Sequence, residues 1–473
     1  MGDLGAPHEC DSLDLDSAIP GGAAVTRRTF LASAPVFAQK PRRPNIVLFV
    51  SDDHGVNFTG CYGNPAIQTP HIDRLAREGM RFTHAFAGSP TCSPSRAILY
   101  TGLHSARNGL MGNHTGTRPD IRSITHYLKP LGYRVVLANK THVKPETVFD
   151  FEYLKATLPR RPDRDRKYRL EGLDTSVIDG FLKDHAARRM DQPLCLVVAD
   201  SSPHVVWEQN RDYDPAKLPL PPIMVDTPVT RRALANYYQD ITTMDSNVGA
   251  VSASLKRYGF EDSTLFLYTS DQGPEWPRSK WTVYDAGLRV PFIARWPGRI
   301  RPGTVTGAMI SLVDVTPTCV DVAGGEAPKG LDGSSFREVL AGKKTFRSEI
   351  YASHSGDGTM NMFPQRGLRD LRYKYVFNLH PERRWTTHFT QVGGIPGSHR
   401  DVYDTWTEKA KTDSSAASLV EAIERHPREE LYDTLADPHE LKNLAGDPAL
   451  RNTLERLRGR MVSMRRRLGD IDE

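Results

Sequence analysis

The segment Asn45-Ile46-Val47-Leu48-Phe49-Val50, followed by Ser51-Asp52-Asp53-His54-Gly55, decides the fold. Its apolar, β-branched run predicts a strand that is buried on both faces, as in a parallel sheet. Adjacent carboxylates beside a buried strand repel each other unless a cation neutralises them. Ligands of open α/β sheets bind at the carboxyl ends of strands, so we expect Asp52 and Asp53 to hold a divalent metal. Two solvated loop aspartates are the alternative for this pair taken alone.

Three further apolar runs predict strands that also end in polar residues. They are 133–138 before Lys140 and His142, 193–199 before Pro203 and His204, and 264–269 before Asp271, Gln272 and the later Lys280. Lys140 and His142 point the same way if the chain stays extended. Helices predicted over 69–79, 123–131, 175–188 and 228–258 alternate with the strands, as in a doubly wound α/β sheet. Such a sheet collects its strand ends at one edge, so we expect the polar groups to meet there.

Cys92 lies at a predicted helix start, in Pro90-Thr91-Cys92-Ser93-Pro94-Ser95-Arg96. Proline is tolerated in the first turn and serine caps it, so we expect the helix to begin within this run. Unpaired N–H groups there attract anions, and Arg96 shares a helix face with Cys92. An activated sulfur beside a fixed cation is one interpretation, and a buried cysteine with a surface arginine is the other.

Length, charge and cysteine use narrow the function classes. The chain has 473 residues and a net charge of +5, without a dense basic block before its C-terminal helix, so we do not expect nucleic acid binding. The five cysteines are scattered, which indicates neither a disulfide framework nor a zinc site. No apolar run approaches the length of a membrane span.

Three segments are predicted along the chain: an export signal over residues 1–43, a catalytic domain over 44–340 and a smaller α+β domain over 341–473. Thr26-Arg27-Arg28-Thr29-Phe30-Leu31 resembles a degenerate twin-arginine signal, which favours a periplasmic or secreted protein and leaves a cytoplasmic one open. A short strand is also expected over 82–86. In the last segment we expect an antiparallel sheet with strands at 349–353 and 372–379, irregular chain at 385–414, and a basic helix at 447–468 with a solvated arginine face.

The motif around Cys92 also carries a family resemblance. Cys92-Ser93-Pro94-Ser95-Arg96 with Thr101-Gly102 matches the sulfatase signature Cys-x-Pro-x-Arg…Thr-Gly, and Asp52-Asp53, Lys140-x-His142, Pro203-His204, Asp271-Gln272-Gly273 and Lys280 occur in the family's order. The chain therefore resembles the sulfatase family, of the alkaline-phosphatase-like superfamily, from about Pro44 to Leu444. Asn108-Gly109-Leu110-Met111-Gly112 and the segment 142–148 resemble the sulfamidases, or heparan N-sulfatases, within it.

The resemblance implies a large mixed, mostly parallel sheet between helices, and a set of site residues. A maturation enzyme would oxidise Cys92 to formylglycine, and Ca²⁺ would be held by Asp52, Asp53, Asp271 and Gln272 together with residue 92. Arg96 would orient the formylglycine hydrate, His142 would be its base or hydrogen-bond partner, Lys140 and Lys280 would neutralise sulfate, and His204 would protonate the leaving group. A homodimer is one assembly open to the chain.

The implied substrate is a sulfated sugar, first of all the N-sulfate of glucosamine at the non-reducing end of heparan sulfate or heparin fragments. His354 and Asp357 are candidate substrate contacts from the second domain, with ordinary loop residues as the alternative. Gln272 stands where the family usually has Asn, or sometimes His, so the metal geometry is in question. Asn139 stands where sulfamidases have Gly, which is a smaller departure. A carbohydrate O-sulfatase, a phosphoesterase and a catalytically silent sulfatase-like binding protein stay open as alternatives.

Overall fold

The computed structural model describes residues 43–159, 171–358, 360–391 and 400–470. The predicted export signal lies outside the described residues, apart from Arg43. The predicted boundary near residue 340 stays a prediction. No helix in the described part of the chain combines the length and the hydropathy that crossing a bilayer requires.

The strands are β1 (Asn45–Ser51), β2 (Met80–Phe82), β3 (Ala85–Phe86), β4 (Arg134–Asn139), β5 (Glu152–Leu154), β6 (Thr157–Pro159), β7 (Glu171–Leu173), β8 (Leu194–Ala199), β9 (Thr264–Ser270), β10 (Phe292–Arg295), β11 (Thr304–Thr306), β12 (Ile310–Ser311), β13 (Glu349–His354), β14 (Gln365–Asp370), β15 (Tyr373–Asn378) and β16 (Glu429–Asp433). The helices are α1 (Pro70–Glu78), α2 (Cys92–Thr101), α3 (Ser105–Asn108), α4 (Ile124–Leu128), α5 (Thr175–Arg189), α6 (Pro228–Arg257), α7 (Asp285–Leu288), α8 (Val315–Val322), α9 (Arg337–Leu340), α10 (His388–Gln391), α11 (Arg400–Lys409), α12 (Ser414–Glu424) and α13 (Arg451–Leu468).

An eight-stranded sheet forms the centre of the fold, in the order β11-β2-β10-β9-β1-β8-β4-β5. The neighbours β9, β1, β8 and β4 run parallel, and β10 is antiparallel to both β9 and β2. Along β1, Ile46, Leu48 and Val50 pack in one apolar cluster while Val47 and Phe49 pack in another. Both faces are therefore covered, which explains the continuous apolar run. The predicted α/β fold with a mostly parallel sheet is confirmed.

A four-stranded antiparallel sheet, β13-β14-β15-β16, follows in the C-terminal part of the chain. The sequence analysis missed β14 and β16, because buried charged residues such as Arg366 and Glu430 interrupt their apolar patterns. The prediction of irregular chain at 385–414 was wrong where α10 and α11 form. The single strand predicted over 82–86 was also wrong, since β2 and β3 belong to different sheets.

Helix α13 packs on this small sheet, and its arginines do more than face solvent. Arg456 donates to Asp370, and Arg458 donates to both carboxylate oxygens of Glu429 at 2.7 and 2.8 Å. Both arginines are solvent-exposed, as predicted, and they also form surface ion pairs with the sheet. Such exposed pairs contribute modestly to stability.

Candidate active site

Three carboxylates meet where β1 and β9 end. The two strands pair in parallel with Ser51 opposite Ser270, so Asp52 and Asp271, the next residues, leave the sheet side by side. The backbone N–H of Asp53 donates to Asp271 Oδ1 at 3.2 Å. Oxygens of Asp52, Asp53 and Asp271 lie within 4.8 Å of one another, and all three side chains are fully buried. This is the strand-end meeting that the sequence predicts.

Each of the three carboxylates has a cation at hydrogen-bond distance, and Asp52 has a second one, Arg96, at 3.7 Å. Lys140 Nζ donates to Asp52, Lys280 Nζ lies 2.7 Å from Asp53 Oδ2, and Arg96 Nε lies 2.9 Å from Asp271 Oδ2. These six residues are called the strand-end cluster below. A fourth carboxylate, Glu275, lies 3.1 Å from Lys280 Nζ, so carboxylates outnumber cations in this buried region.

The excess of negative charge is visible in the pKa values. Burial, together with Asp52, raises the pKa of Asp271 to about 7. Burial and the neighbouring carboxylates also hold the pKa of Asp53 well above its usual range. Burial opposes ionisation of Asp52 too, but Lys140 and Arg96 hold its pKa well below the usual range. Repulsion of this kind is relieved when a divalent cation binds among the oxygens.

Cys92 is the first residue of α2 and lies against the carboxylates. Its Sγ is 3.4 Å from Asp52 Oδ1. The N-cap of α2 is Thr91, which makes no side-chain cap bond, so the predicted serine cap was wrong. Burial and Asp52 hold the pKa of the Cys92 thiol well above its usual range. The interpretation of an activated thiolate was therefore wrong, since the side chain stays a neutral thiol. Arg96 binds Asp271 and is fully buried, so it is not a surface residue either.

The amide of Gln272 reaches both the carboxylates and the sulfur. Its Nε2 donates to Asp53 Oδ1 and lies 3.2 Å from Cys92 Sγ. Its Oε1 is buried and has no hydrogen-bond partner among the described residues. An orphaned amide oxygen beside three carboxylates suits a hard cation, provided the amide turns to present that oxygen. The longer side chain therefore does reach the region where the family's Asn is expected.

Two histidines flank the cluster and are neutral at pH 7. His204 Nδ1 lies 2.7 Å from the Val205 carbonyl, so it carries the proton, and Nε2 lies 3.8 Å from Asp53 Oδ2. Burial and then Lys280 lower the pKa of His204 to about 3. Burial and then Lys140 lower the pKa of His142 to about 2.

Strained backbone accompanies several strand ends. Asp53, Asn139 and His142 have φ values of 67°, 72° and 45°, in the left-handed region. Asparagine tolerates that region better than most residues, which explains how Asn139 replaces a glycine. The left-handed φ of His142 means that the segment is not extended throughout, and the side chains of Lys140 and His142 take different partners. Lys140 reaches Asp52, whereas His142 Nε2 lies 3.0 Å from His114 Nδ1.

The two candidate substrate contacts lie beside the cluster and not within it. His354 Nδ1 is 3.1 Å from Thr91 Oγ1 and its Nε2 is 3.2 Å from the Asn361 carbonyl, so both ring nitrogens are engaged by the protein. Asp357 Oδ2 accepts from the indole N–H of Trp281 at 3.0 Å. The substrate roles of His354 and Asp357 stay predictions, and the geometry of His354 favours support of α2.

Sequence reasoning missed Glu275, His114 and Trp281. Glu275 lies in the loop that carries Gln272 and Lys280, and this proximity in sequence was a usable signal. His114 and Trp281 lie on loops that end no predicted strand, so no periodic pattern marked them. Their roles depend on contacts with Asp357, from a distant part of the chain.

Comparisons with known proteins identify sulfatases as similar to this chain. The sequence model of the sulfatase family matches residues 44–325, and that of the N-sulphoglucosamine sulphohydrolase C-terminal region matches residues 276–413. An ulvan-active sulfatase of Formosa agariphila is 34% identical over 435 residues, covering 91% of this chain and 81% of that protein. Human N-sulphoglucosamine sulphohydrolase is 28% identical over 463 residues, covering 89% and 90%.

The solved structure of a phosphonate monoester hydrolase from Agrobacterium radiobacter superposes with a TM-score of 0.68 at 19% identity, covering 90% of this chain and 96% of that one. A likeness at this identity shows the fold alone, an α/β fold with a mostly parallel central sheet. The family is defined by the sequence matches. The chain belongs to the sulfatase family and is a sulfuric ester hydrolase by that membership.

Proposed function

We propose that the enzyme hydrolyses the N-sulfate of glucosamine at the non-reducing end of heparan sulfate or heparin fragments. The main support for an anionic substrate comes from Arg96. Its Nη1 and Nη2 are buried without a hydrogen-bond partner among the described residues. Two spare cationic donors beside Lys140 and Lys280 suit a sulfate oxygen. The match of residues 276–413 to the N-sulphoglucosamine sulphohydrolase C-terminal region favours the amino sugar.

The proposed cofactors are Ca²⁺ and a formylglycine made from Cys92 by a maturation enzyme. Asp52, Asp53, Asp271 and Gln272 would hold the cation together with residue 92, and it would polarise sulfate and nucleophile when bound. The formylglycine hydrate would supply the hydroxyl that attacks sulfur. The buried, neutral Cys92 thiol is itself a poor nucleophile, which supports this conversion.

The chain's own residues would bind the anion and move protons. Lys140, Lys280 and Arg96 would neutralise sulfate oxygens, with Arg96 also orienting the nucleophile. His142 would accept the hydroxyl proton, and His204 would donate one to the leaving amine. A bound sulfate adds negative charge beside His204 and favours its protonated form.

The cellular setting is also part of the proposal. Residues 1–43 would direct the protein to the periplasm or out of the cell, where sulfated glycan fragments are met. Residues 44–340 would form the catalytic domain and residues 341–473 a smaller second domain. A homodimer is compatible with this arrangement.

One observation favours a second candidate, a carbohydrate O-sulfatase. The ulvan-active sulfatase of Formosa agariphila is more similar to this chain, at 34% identity, than human N-sulphoglucosamine sulphohydrolase is, at 28%. The fold is also shared with a phosphonate monoester hydrolase, so phosphodiesters belong in the same test.

The test compares kcat/KM for glucosamine N-sulfate, glucosamine 6-O-sulfate, a sulfated ulvan oligosaccharide, an aryl sulfate and an aryl phosphodiester. We expect glucosamine N-sulfate to have the highest value. A higher value for either sugar O-sulfate would overturn the N-sulfate assignment, and a higher value for the phosphodiester would overturn sulfate hydrolysis itself. Absence of turnover on the whole series, in protein with matured Cys92, would support a silent binding protein.

A His204→Gln variant tests the leaving-group acid. General acid catalysis contributes about 10²- to 10⁴-fold, so kcat on the sulfamate should fall by that range. The aryl sulfate, whose leaving group needs no proton, should lose much less. His380→Gln is the matched control, since the His380 ring is bonded to Glu382 on the surface. Equal losses on both substrates would contradict the acid role.

A further inference from the structure

The side chains of His142, His114 and Asp357 lie in a row, and the last of them is a buried carboxylate. His142 Nε2 lies 3.0 Å from His114 Nδ1, and His114 Nε2 lies 3.4 Å from Asp357 Oδ1. The two rings are 4.8 Å apart between centroids. Asp357 is 5% exposed and its other oxygen accepts from Trp281 Nε1 at 3.0 Å. The carboxylate is thus held in place by a partner outside the chain of histidines.

Counting hydrogens shows which ring nitrogens donate and which accept between His142, His114 and Asp357. A neutral imidazole has one N–H donor and one bare acceptor nitrogen. If His114 Nε2–H donates to the Asp357 carboxylate, His114 Nδ1 is bare and accepts from His142 Nε2–H. His142 Nδ1 is then the bare nitrogen. That atom is buried and has no partner among the described residues.

A second group competes for the same nitrogen of His114. Asn113 Nδ2 lies 3.2 Å from His114 Nε2, and the amide is fixed because Ser93 N–H and Oγ–H both donate to Asn113 Oδ1. An amide donor would require a bare Nε2 and would reverse every proton position along the chain. The amide is the nearer group, since Asp357 Oδ1 lies 3.4 Å from the same nitrogen. A hydrogen bond to a carboxylate is roughly twice as strong as one between neutral groups, and on this ground we infer the Asp357 direction.

We propose that Asp357 and His114 are positioning residues that hold His142 in its Nε2–H tautomer, with a bare Nδ1 available to accept a proton. The inference rests on the proposed function for the use of that proton acceptor. Lys140, Asp52 and Arg96 act electrostatically on the His142 ring, so the ring lies within the reach of the strand-end cluster. A segment that follows β13 would in this way set the proton position of a residue that follows β4.

The direct readout is the tautomer of His142. Long-range ¹H–¹⁵N NMR of histidine-labelled, full-length protein distinguishes a protonated Nε2 from a protonated Nδ1, and a His142→Gln spectrum assigns the signal. We expect Nε2–H in the wild type. In Asp357→Asn the carboxylate acceptor is lost, and the amide donors of residues 113 and 357 both face His114 Nε2, so we expect the proton to move to Nδ1. A wild-type proton on Nδ1 would overturn the proposal.

Steady-state kinetics give a second readout, in which a second substitution should restore the kcat that the first one lowers. Asp357→Asn should lower kcat by at least about tenfold and at most by the roughly 10²- to 10⁴-fold that general base catalysis contributes, and it should leave KM within about twofold. Adding Asn113→Asp to that variant returns a carboxylate to His114 Nε2 and should restore much of kcat. Asp120→Asn, a change of an exposed carboxylate paired with Arg118, is the matched control.

The outcomes separate this inference from the proposed function. If Asp357→Asn keeps the wild-type kcat, or if the double variant is no better than the single one while both stay folded by thermal melting, the positioning role is wrong. If the wild type hydrolyses no sulfated sugar, the proposed function fails, and the tautomer measurement still decides the positioning role.

Discussion

Arg96 and Arg366 are both fully buried, yet their guanidinium groups are bonded in opposite ways. Arg366 donates to both oxygens of Asp470, at 2.6 and 2.8 Å, and to the carbonyls of His354 and Gln365 at 2.8 and 2.9 Å. Arg96 donates from Nε to Asp271, and its Nη2 is 3.7 Å from Asp52. Its terminal nitrogens have no hydrogen bond among the described residues.

The difference separates a structural cation from one available for a ligand. A buried donor without a partner costs about 1–3 kcal/mol, so a protein keeps one only where another group supplies the bond. Arg366 joins the C-terminal end of the described chain to β14, and all three of its guanidinium nitrogens are hydrogen-bonded. The terminal nitrogens of Arg96 would gain hydrogen-bond partners when an anion binds.

The largest expected contrast comes from replacing each arginine by methionine. Arg96→Met should lower kcat/KM for sulfate esters by about 10²- to 10³-fold, as loss of a transition-state donor does. Arg366→Met should leave activity in the folded protein near wild type and destabilise it by about 3–5 kcal/mol, since Asp470 stays buried without its cation. Steady-state kinetics and urea unfolding measure the two effects. Equal activity losses in both variants would remove the distinction.

The next effect concerns the pH dependence of stability. The folded pKa of Asp271 is about 7, above the unfolded value of about 3.9, so the folded state binds more protons in this range. Stability contributed by this group is present below about pH 4 and is lost as pH rises to about 7. At Asp285, in α7, the sign is opposite, because Arg369 and Lys374 of the small sheet outweigh burial and lower its pKa. That contribution is lost as pH falls.

Thermal melts of chelator-treated protein check the first of these signs. We expect Asp271→Asn to remove the decline in melting temperature between pH 5 and 8, roughly the range over which Asp271 ionises, and Asp120→Asn to leave it unchanged. Added Ca²⁺ should raise the melting temperature more at the upper end of that range, by an amount that grows with its concentration relative to Kd. A Ca²⁺ effect that does not depend on pH would argue against binding at Asp271.

The smallest effect concerns the backbone beside the strand-end cluster. Asn139 has φ 72°, so Asn139→Gly should change the unfolding free energy by less than about 1 kcal/mol and kcat by less than about twofold. Asn139→Val should cost about 1–3 kcal/mol, because a β-branched residue is strained there. Urea unfolding of the pair measures this. A glycine variant as unstable as the valine variant would mean that the Asn139 side chain matters more than its backbone.

The sequence predicted the strand-end cluster because its signals are local. Asp52, Lys140, His204 and Asp271 each follow an apolar run, and parallel pairing of those runs brings the ends together. The neighbours of His142 could not be predicted in this way. His114 and Asp357 lie on loops, and their contact depends on how the segment after β13 packs against the loop after α3.

The raised pKa of the Cys92 thiol could not be predicted from the helix start and its neighbouring arginine. The helix start and Arg96 suggested an activated sulfur, because helix dipoles and cations lower thiol pKa values. Burial against Asp52 has the larger effect and raises the pKa. Sequence patterns do not report which of two opposing electrostatic effects is stronger at a buried position.

We propose that residue 92 acts as an aldehyde hydrate beside the strand-end cluster and not as a thiol. The most direct test is the mass of the Cys92-containing peptide from active protein, purified from cells that produce it naturally. We predict the mass change for replacement of the CH₂–SH side chain by an aldehyde or its hydrate, with a Cys92→Ala variant inactive. An unmodified thiol in protein that turns over sulfate, or full activity of Cys92→Ala, would contradict the account.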